Sequence, residues 1–152
     1  MNKKEFADRV ENVKKRLYQI AFLYLHNEAS ALEAVDEAVY KALRSLKKLR
    51  EPQFFETWIT RILINECKQE IKRVARMHPE ETVQEEWETF DYDSLPLKEA
   101  IRKLPEELRA VITLRYFAGY TLAETSNILE IPQGTVVTWQ RRALSLLKLE
   151  LM

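Results

Sequence analysis

The chain has 152 residues, with 46% hydrophobic and 32% charged side chains, a balance that describes a globular chain and excludes a disordered or membrane-spanning one. Its two glycines, five prolines and single cysteine favour an all-α fold and leave no internal disulfide or cysteine-rich metal cluster. The 24 basic and 24 acidic residues cancel overall but are segregated: residues 1–76 hold 16 Lys and Arg against 11 Asp and Glu, residues 77–96 hold seven acids and no base, and residues 97–152 hold eight bases against six acids.

The N-terminus, Met1 to Arg16, is charged and has no apolar leader core, and no apolar run approaches the ~20 residues that cross a bilayer, so the expected location is cytoplasmic, without membrane insertion. Helical spacing of Val10, Val13, Leu17, Ile20, Ala21 and Tyr24 predicts a first helix over Phe6 to Leu25. A second is expected over Ala29 to Leu49, with Leu32, Val35, Val39, Ala42, Leu43 and Leu46 toward the core. Leu49 to Phe54 reads as a loop, and a third helix runs from about Phe55 to Arg76.

That third helix has two faces. At about 100° per residue, Phe55, Ile59, Ile62 and Leu63 point inward, whereas Trp58, Arg61, Asn65, Lys68 and Lys72 share another side. A ring beside cations and an amide suits a nucleic-acid strand, since bases stack on rings and phosphates pair with cations. The alternative is a core Trp58 with a solvated charged face.

Residues 77–96 include Glu80, Glu81, Glu85, Glu86, Glu88, Asp91 and Asp93, with Pro79 and Pro96 near the ends, and read as an acidic linker between two small helical domains, 1–76 and 97–152. The alternative is a solvated helix around Val83 to Phe90, with Trp87 and Phe90 docked on one domain.

In the second domain Gly119 supplies a left-handed residue after a helix ending near Phe117, and Thr121 with Glu124 forms a capping box that starts a helix at Leu122. Glu130 to Gly134 break it. From Thr135 the chain is again helical, with Val136, Ala143, Leu144 and Leu147 near one face and Arg141 and Arg142 beside them. Two short helices across a tight turn are what a DNA-binding helix-turn-helix requires, and the last helix is the candidate reader of the major groove.

Three groups of residues together resemble the extracytoplasmic-function group of bacterial sigma factors. Ala31 to Val39, reading ALEAVDEAV, is similar to the family helix that binds core RNA polymerase; Phe55 to Asn65, reading FETWITRILIN, resembles the signature associated with the minus-ten element. Leu104 to Arg109, Leu114 to Tyr116, Thr121 to Glu124 and Ile131 to Val136 are similar to the domain that reads the minus-thirty-five element.

The resemblance implies polymerase contacts at Leu32, Glu33, Asp36, Glu37 and Tyr40. It implies minus-ten contacts at Arg50, Phe54, Phe55, Trp58, Arg61, Asn65, Lys68 and Lys72, with either Phe54 or Phe55 stacking a flipped base. For the minus-thirty-five element it implies Gln133, Thr135, Thr138, Trp139, Arg141 and Arg142, where Trp139 has the alternatives of a thymine methyl or a protein partner. The implied partners are core RNA polymerase, promoter DNA and an anti-sigma factor.

The chain departs from the family pattern at Gln69, where an acid is usual, and at Val137, Trp139, Leu144, Ser145 and Leu146, where basic or polar residues are common. Two other readings compete with an alternative sigma factor: a response-regulator-type activator, and a sigma-like adaptor that reads DNA weakly. No catalytic residue, metal or cofactor is expected: Cys67 stands alone, His26 and His78 lie in no ligand frame, and no phosphate-binding glycine loop occurs.

Overall fold

The computed structural model describes residues 1–77 and 95–151, so most of the predicted acidic linker lies outside the described residues. Among the described residues every regular element is helical, and the chain divides into two compact units, Met1–Glu81 and Thr82–Met152.

In the first unit, α1 spans Lys3–Leu25, α2 spans Glu28–Arg44 and α3 spans Phe55–Met77. Asn2 opens α1 by accepting from the Glu5 amide at 2.8 Å, and Asn27 opens α2 by accepting from Ser30 at 2.8 Å. Between them His26 takes a left-handed conformation (φ 55°) and its amide closes α1 on the Phe22 carbonyl. The chain thus reverses within two residues.

All three helices pack on one another, burying Leu17, Ile20, Ala21 and Tyr24 of α1 and Ile59, Leu63, Ile64 and Cys67 of α3. The buried stripe of α2 differs from the expected one. It is Ala31, Ala34, Val35, Ala38 and Ala42, and the small alanines bring the backbone of α2 close to both neighbours. Leu32 and Leu43, expected in the core, are 49% and 38% exposed. On α3 the expected inward Ile62 is only half-buried, and Ile64 is buried in addition.

The second helix also ends sooner than expected. After Arg44 the chain tightens into a 3-10 turn at Leu46–Lys48, and a second 3-10 turn, Pro52–Phe54, leads directly into α3.

In the second unit, α4 (Leu95–Arg102), α5 (Glu106–Ile112), α6 (Leu122–Leu129) and α7 (Gln133–Leu151) follow, with a π turn at Thr113–Phe117 extending α5. Met77 belongs to α3, and Leu95 and Pro96 to α4, so both margins of the predicted linker are helical. Ala100, Ile101, Leu104, Leu108 and Ile112 meet Ala143 and Leu147 of α7 in the core, flanked by Leu97 and Trp139. The helix-turn-helix lies on this platform, with Ile128, Leu129 and Val136 buried. Leu144, expected near the apolar face, is 41% exposed, because the buried stripe of α7 follows Val136, Ala143 and Leu147 and leaves Leu144 on its flank.

Candidate nucleic-acid interface

Phe54 and Phe55 are adjacent in sequence and opposite in environment. Phe55 begins α3 and is 3% exposed, its ring edge-on to Phe6 at 5.9 Å and tilted to Trp58 at 6.1 Å. Phe54 ends the preceding 3-10 turn and is 54% exposed. Of the two rings, only that of Phe54 is open to solvent. Phe55, expected as a candidate for stacking, is a core residue instead, because the first turn of α3 aims its side chain at α1.

The turn that displays Phe54 is held from three directions. Pro52 supplies the carbonyl that accepts the Phe55 amide, and the same oxygen accepts from a guanidinium nitrogen of Arg9 at 2.6 Å. Arg9 also lies 5.9 Å from the Phe55 ring centroid and pairs with Glu5 at 3.1 Å. About two turns further along α1, Arg16 pairs with Glu56. Thr57 donates its hydroxyl proton to the Phe54 carbonyl at 3.1 Å.

Along α3 the expected polar face is present. Asn65 and Lys72 are exposed, Trp58, Arg61 and Lys68 are half-buried, and the five share one side of the helix; Arg50 is exposed in the loop before it. The acids of α3 lie apart from this face: Glu66 pairs with Lys41 of α2, and Glu70 with Arg73 at 2.6 Å. Placing the buried carboxylates toward α2 keeps their charge away from the side of α3 that carries Arg61 to Lys72.

The residues implied for polymerase divide between two sides of α2. Leu32, Asp36 and Tyr40 are exposed and lie along one face, where Arg44 sits 5.5 Å from the Tyr40 ring centroid. Glu33 and Glu37 turn toward α3 and line a groove of about 350 Å³ with Lys41, Glu66, Glu70 and Arg73. The Arg73 guanidinium is held above its ordinary pKa, first by its hydrogen bond to Glu70 and, more weakly, by Glu33.

In the second unit Gly119 has φ 74°, and the Thr121 capping box is complete, with the Glu124 amide donating to Thr121 Oγ1 at 3.1 Å and the Thr121 amide donating to Glu124 Oε1 at 2.9 Å. The turn itself is shorter than expected. Glu130 takes the left-handed position (φ 58°), the Ser126 hydroxyl donates to the Ile131 carbonyl, and α7 begins at Gln133 rather than Thr135. Pro132 starts that helix, its carbonyl accepting from Thr135 and Val136 at 3.0 and 3.2 Å. Gly134 thus lies inside the first turn of α7, and a Cβ added there would meet nothing within 4 Å.

Gln133, Thr138, Arg141 and Arg142 are exposed on α7 and Thr135 is half-buried. Trp139 is the exception among the residues implied for the minus-thirty-five element: it packs against the Ala100–Leu147 core cluster, because it flanks the Val136, Ala143 stripe. Arg115, a residue without an expected structural role, braces α7 by donating to Gln140 Oε1 at 3.0 Å and to the Tyr120 carbonyl at 2.7 Å. Neither brace is visible in helical periodicity, since Arg115 and Gln140 are 25 residues apart and Arg9 and Pro52 are 43 apart.

No helix among the described residues is long and apolar enough to cross a membrane, and no group of three or more His, Cys, Asp or Glu among them could hold a metal.

Comparison with known proteins matches the first unit to sigma-70 region 2 over residues 9–77 and the second to sigma-70 region 4 over residues 100–149. The RNA polymerase sigma factor SigV of Bacillus subtilis is 30% identical over 142 residues, covering 91% of this chain and 86% of the relative. The ECF RNA polymerase sigma-E factor of Escherichia coli K12 is 30% identical over 160 residues, covering 86% and 84%. Among solved structures, the sigma factor RpoE of Bartonella quintana, crystallised with the anti-sigma factor NepR, superposes with a TM-score of 0.83 at 20% identity over 97% of both chains. CnrH, in complex with the cytosolic domain of CnrY, superposes with a TM-score of 0.75 at 21% identity over 97% of this chain and 87% of the other. The chain therefore belongs to the extracytoplasmic-function group of the sigma-70 family of RNA polymerase sigma factors.

Proposed function

We propose that this alternative sigma factor divides transcription initiation among three helical faces. The observation that carries the reading is the pairing of an exposed Phe54 with the polar and cationic side of α3 in a unit matching sigma-70 region 2. Core RNA polymerase docks on α2, where Leu32 and Tyr40 supply apolar area and Glu33, Asp36 and Glu37 supply negative charge. The unpaired minus-ten strand follows Arg50, Phe54, Trp58, Arg61, Asn65, Lys68 and Lys72. Residues 1–76 thus carry the polymerase and minus-ten functions, and residues 97–152 the minus-thirty-five function, across the acidic 77–96 segment.

In upstream duplex DNA, α7 lies in the major groove with Gln133, Thr135 and Thr138 toward base edges or backbone and Arg141 and Arg142 toward phosphates. Trp139 shapes this helix from the core side. The task is binding and strand positioning, with no bond made or broken by the chain, and it belongs in the cytoplasm with the genome. An anti-sigma factor is the proposed inhibitor; the support is that RpoE and CnrH, which share this fold, are each seen bound to such a protein or to a cytosolic partner domain.

Footprinting of the reconstituted holoenzyme tests the division of labour. Two protected blocks upstream of the start site are expected, the downstream one weakened by Asn65→Ala with Lys72→Ala and the upstream one by Arg141→Ala with Arg142→Ala. Loss of both blocks from either pair of substitutions would show that the two units do not read separate elements.

A further inference from the structure

We propose that Arg9 is a positioning residue for strand separation: from α1 it fixes the Pro52–Phe54 turn so that the Phe54 ring stands ready for an unpaired base. The inference rests on the reading of Phe54 as the stacking ring.

Three contacts of one guanidinium support it. Arg9 donates to the Pro52 carbonyl at 2.6 Å, lies over the buried Phe55 ring at 5.9 Å from its centroid, and is itself steadied by Glu5 at 3.1 Å. The Pro52 oxygen already accepts the Phe55 amide, so Arg9 occupies its second lone-pair direction and fully satisfies the carbonyl. A 3-10 turn of three residues has poor hydrogen-bond geometry and few internal bonds, and a charge-assisted bond from a neighbouring helix restricts it strongly.

The geometry sorts the two phenylalanines. Arg9 lies over the buried Phe55 ring and ties the Pro52 carbonyl to α1, and between these two held residues Phe54 is 54% exposed. A stacking ring that is already displayed avoids the ordering cost at the moment a base leaves the duplex. Arg9 need not touch DNA for this effect.

A double-mutant cycle on the full chain, reconstituted with core polymerase on a promoter that it transcribes, distinguishes the possibilities. Opening is followed by permanganate reactivity of unpaired thymines, and duplex binding is measured separately. Arg9→Ala is expected to slow opening by about fivefold to tenfold, on the scale of one partly exposed charge-assisted hydrogen bond, with duplex affinity unchanged. Arg9→Lys, which keeps one cationic donor for Pro52, recovers most of the rate. In a Phe54→Ala background the further loss from Arg9→Ala shrinks to within about twofold.

Parental opening by Arg9→Ala overturns the inference, as does an undiminished Arg9→Ala loss in the Phe54→Ala background, which would mark a direct DNA contact. If Phe54→Ala alone opens at the parental rate, the reading of Phe54 itself fails. Should Arg9→Ala unfold, Arg9→Gln takes its place in the same cycle.

Discussion

At the scale of single residues, the pair Phe54 and Phe55 separates function from folding. Phe55→Ala removes a ring that meets Phe6, Trp58 and Arg9, and should cost about 3–5 kcal/mol of stability, read by urea or thermal unfolding. Phe54→Ala, on an exposed ring, should shift stability by no more than about 0.5 kcal/mol while slowing promoter opening. Trp58→Ala belongs with Phe54 if it supports strand separation: the expected result is normal folding with reduced permanganate reactivity. Gly134 offers the opposite case. Its position in α7 has open space and no positive φ, so Gly134→Ala should raise stability by a few tenths to about 1 kcal/mol, and any accompanying loss of DNA binding would locate the close approach of a phosphate. The sequence left the choice between the two phenylalanines open because it depends on where the 3-10 turn stops and α3 starts, and a helical arc drawn from Phe55 does not contain that turn.

At the scale of elements, periodicity located α1 and α3 closely and the Thr121 to Glu124 capping box completely, since these depend on neighbours in the chain. It misplaced the core stripe of α2. Leucines outrank alanines in hydrophobicity, yet α2 is wedged between two helices, and close approach selects Ala31, Ala34, Ala38 and Ala42 while Leu32 and Leu43 turn to solvent. The error is informative, because an exposed Leu32 beside Asp36 and Tyr40 makes a better docking face than a buried one. Charge reversal by Glu33→Lys with Asp36→Lys should leave the fold intact and weaken core polymerase binding about tenfold or more, measured by competition for core enzyme; unchanged affinity would remove α2 from the interface. On α7, Arg141→Ala should lower the log–log salt slope of duplex binding by about one unit, and Val137→Lys should raise it by about one and tighten binding. The resemblance of the recognition helix places Trp139 with the DNA contacts; its packing against the cluster of Ala143, α4 and α5 residues appears only when the three helices are assembled.

For the whole molecule, the zero net charge conceals a division that the fold makes physical. The carboxylates Glu66 and Glu70 face α2, the cations and amide from Arg61 to Lys72 face the other side of α3, and α7 carries its own pair of arginines. Under the proposed function, one chain thereby offers an acidic and apolar face to a protein and two cationic faces to DNA. The two-domain plan was legible from the acidic interval and the helix punctuation on either side of it, whereas the bracing by Arg9 and Arg115, 43 and 25 residues from their partners, required the folded chain. A response-regulator-type activator would work with polymerase already bearing another sigma factor, and a weakly reading adaptor would bind core enzyme without selecting start sites. Run-off transcription with purified core polymerase, this chain and genomic DNA separates all three. Discrete transcripts that depend on the chain, and that vanish with Glu33→Lys and Asp36→Lys, are the expected result; a product pattern identical to that of core polymerase alone would contradict a sigma-factor role.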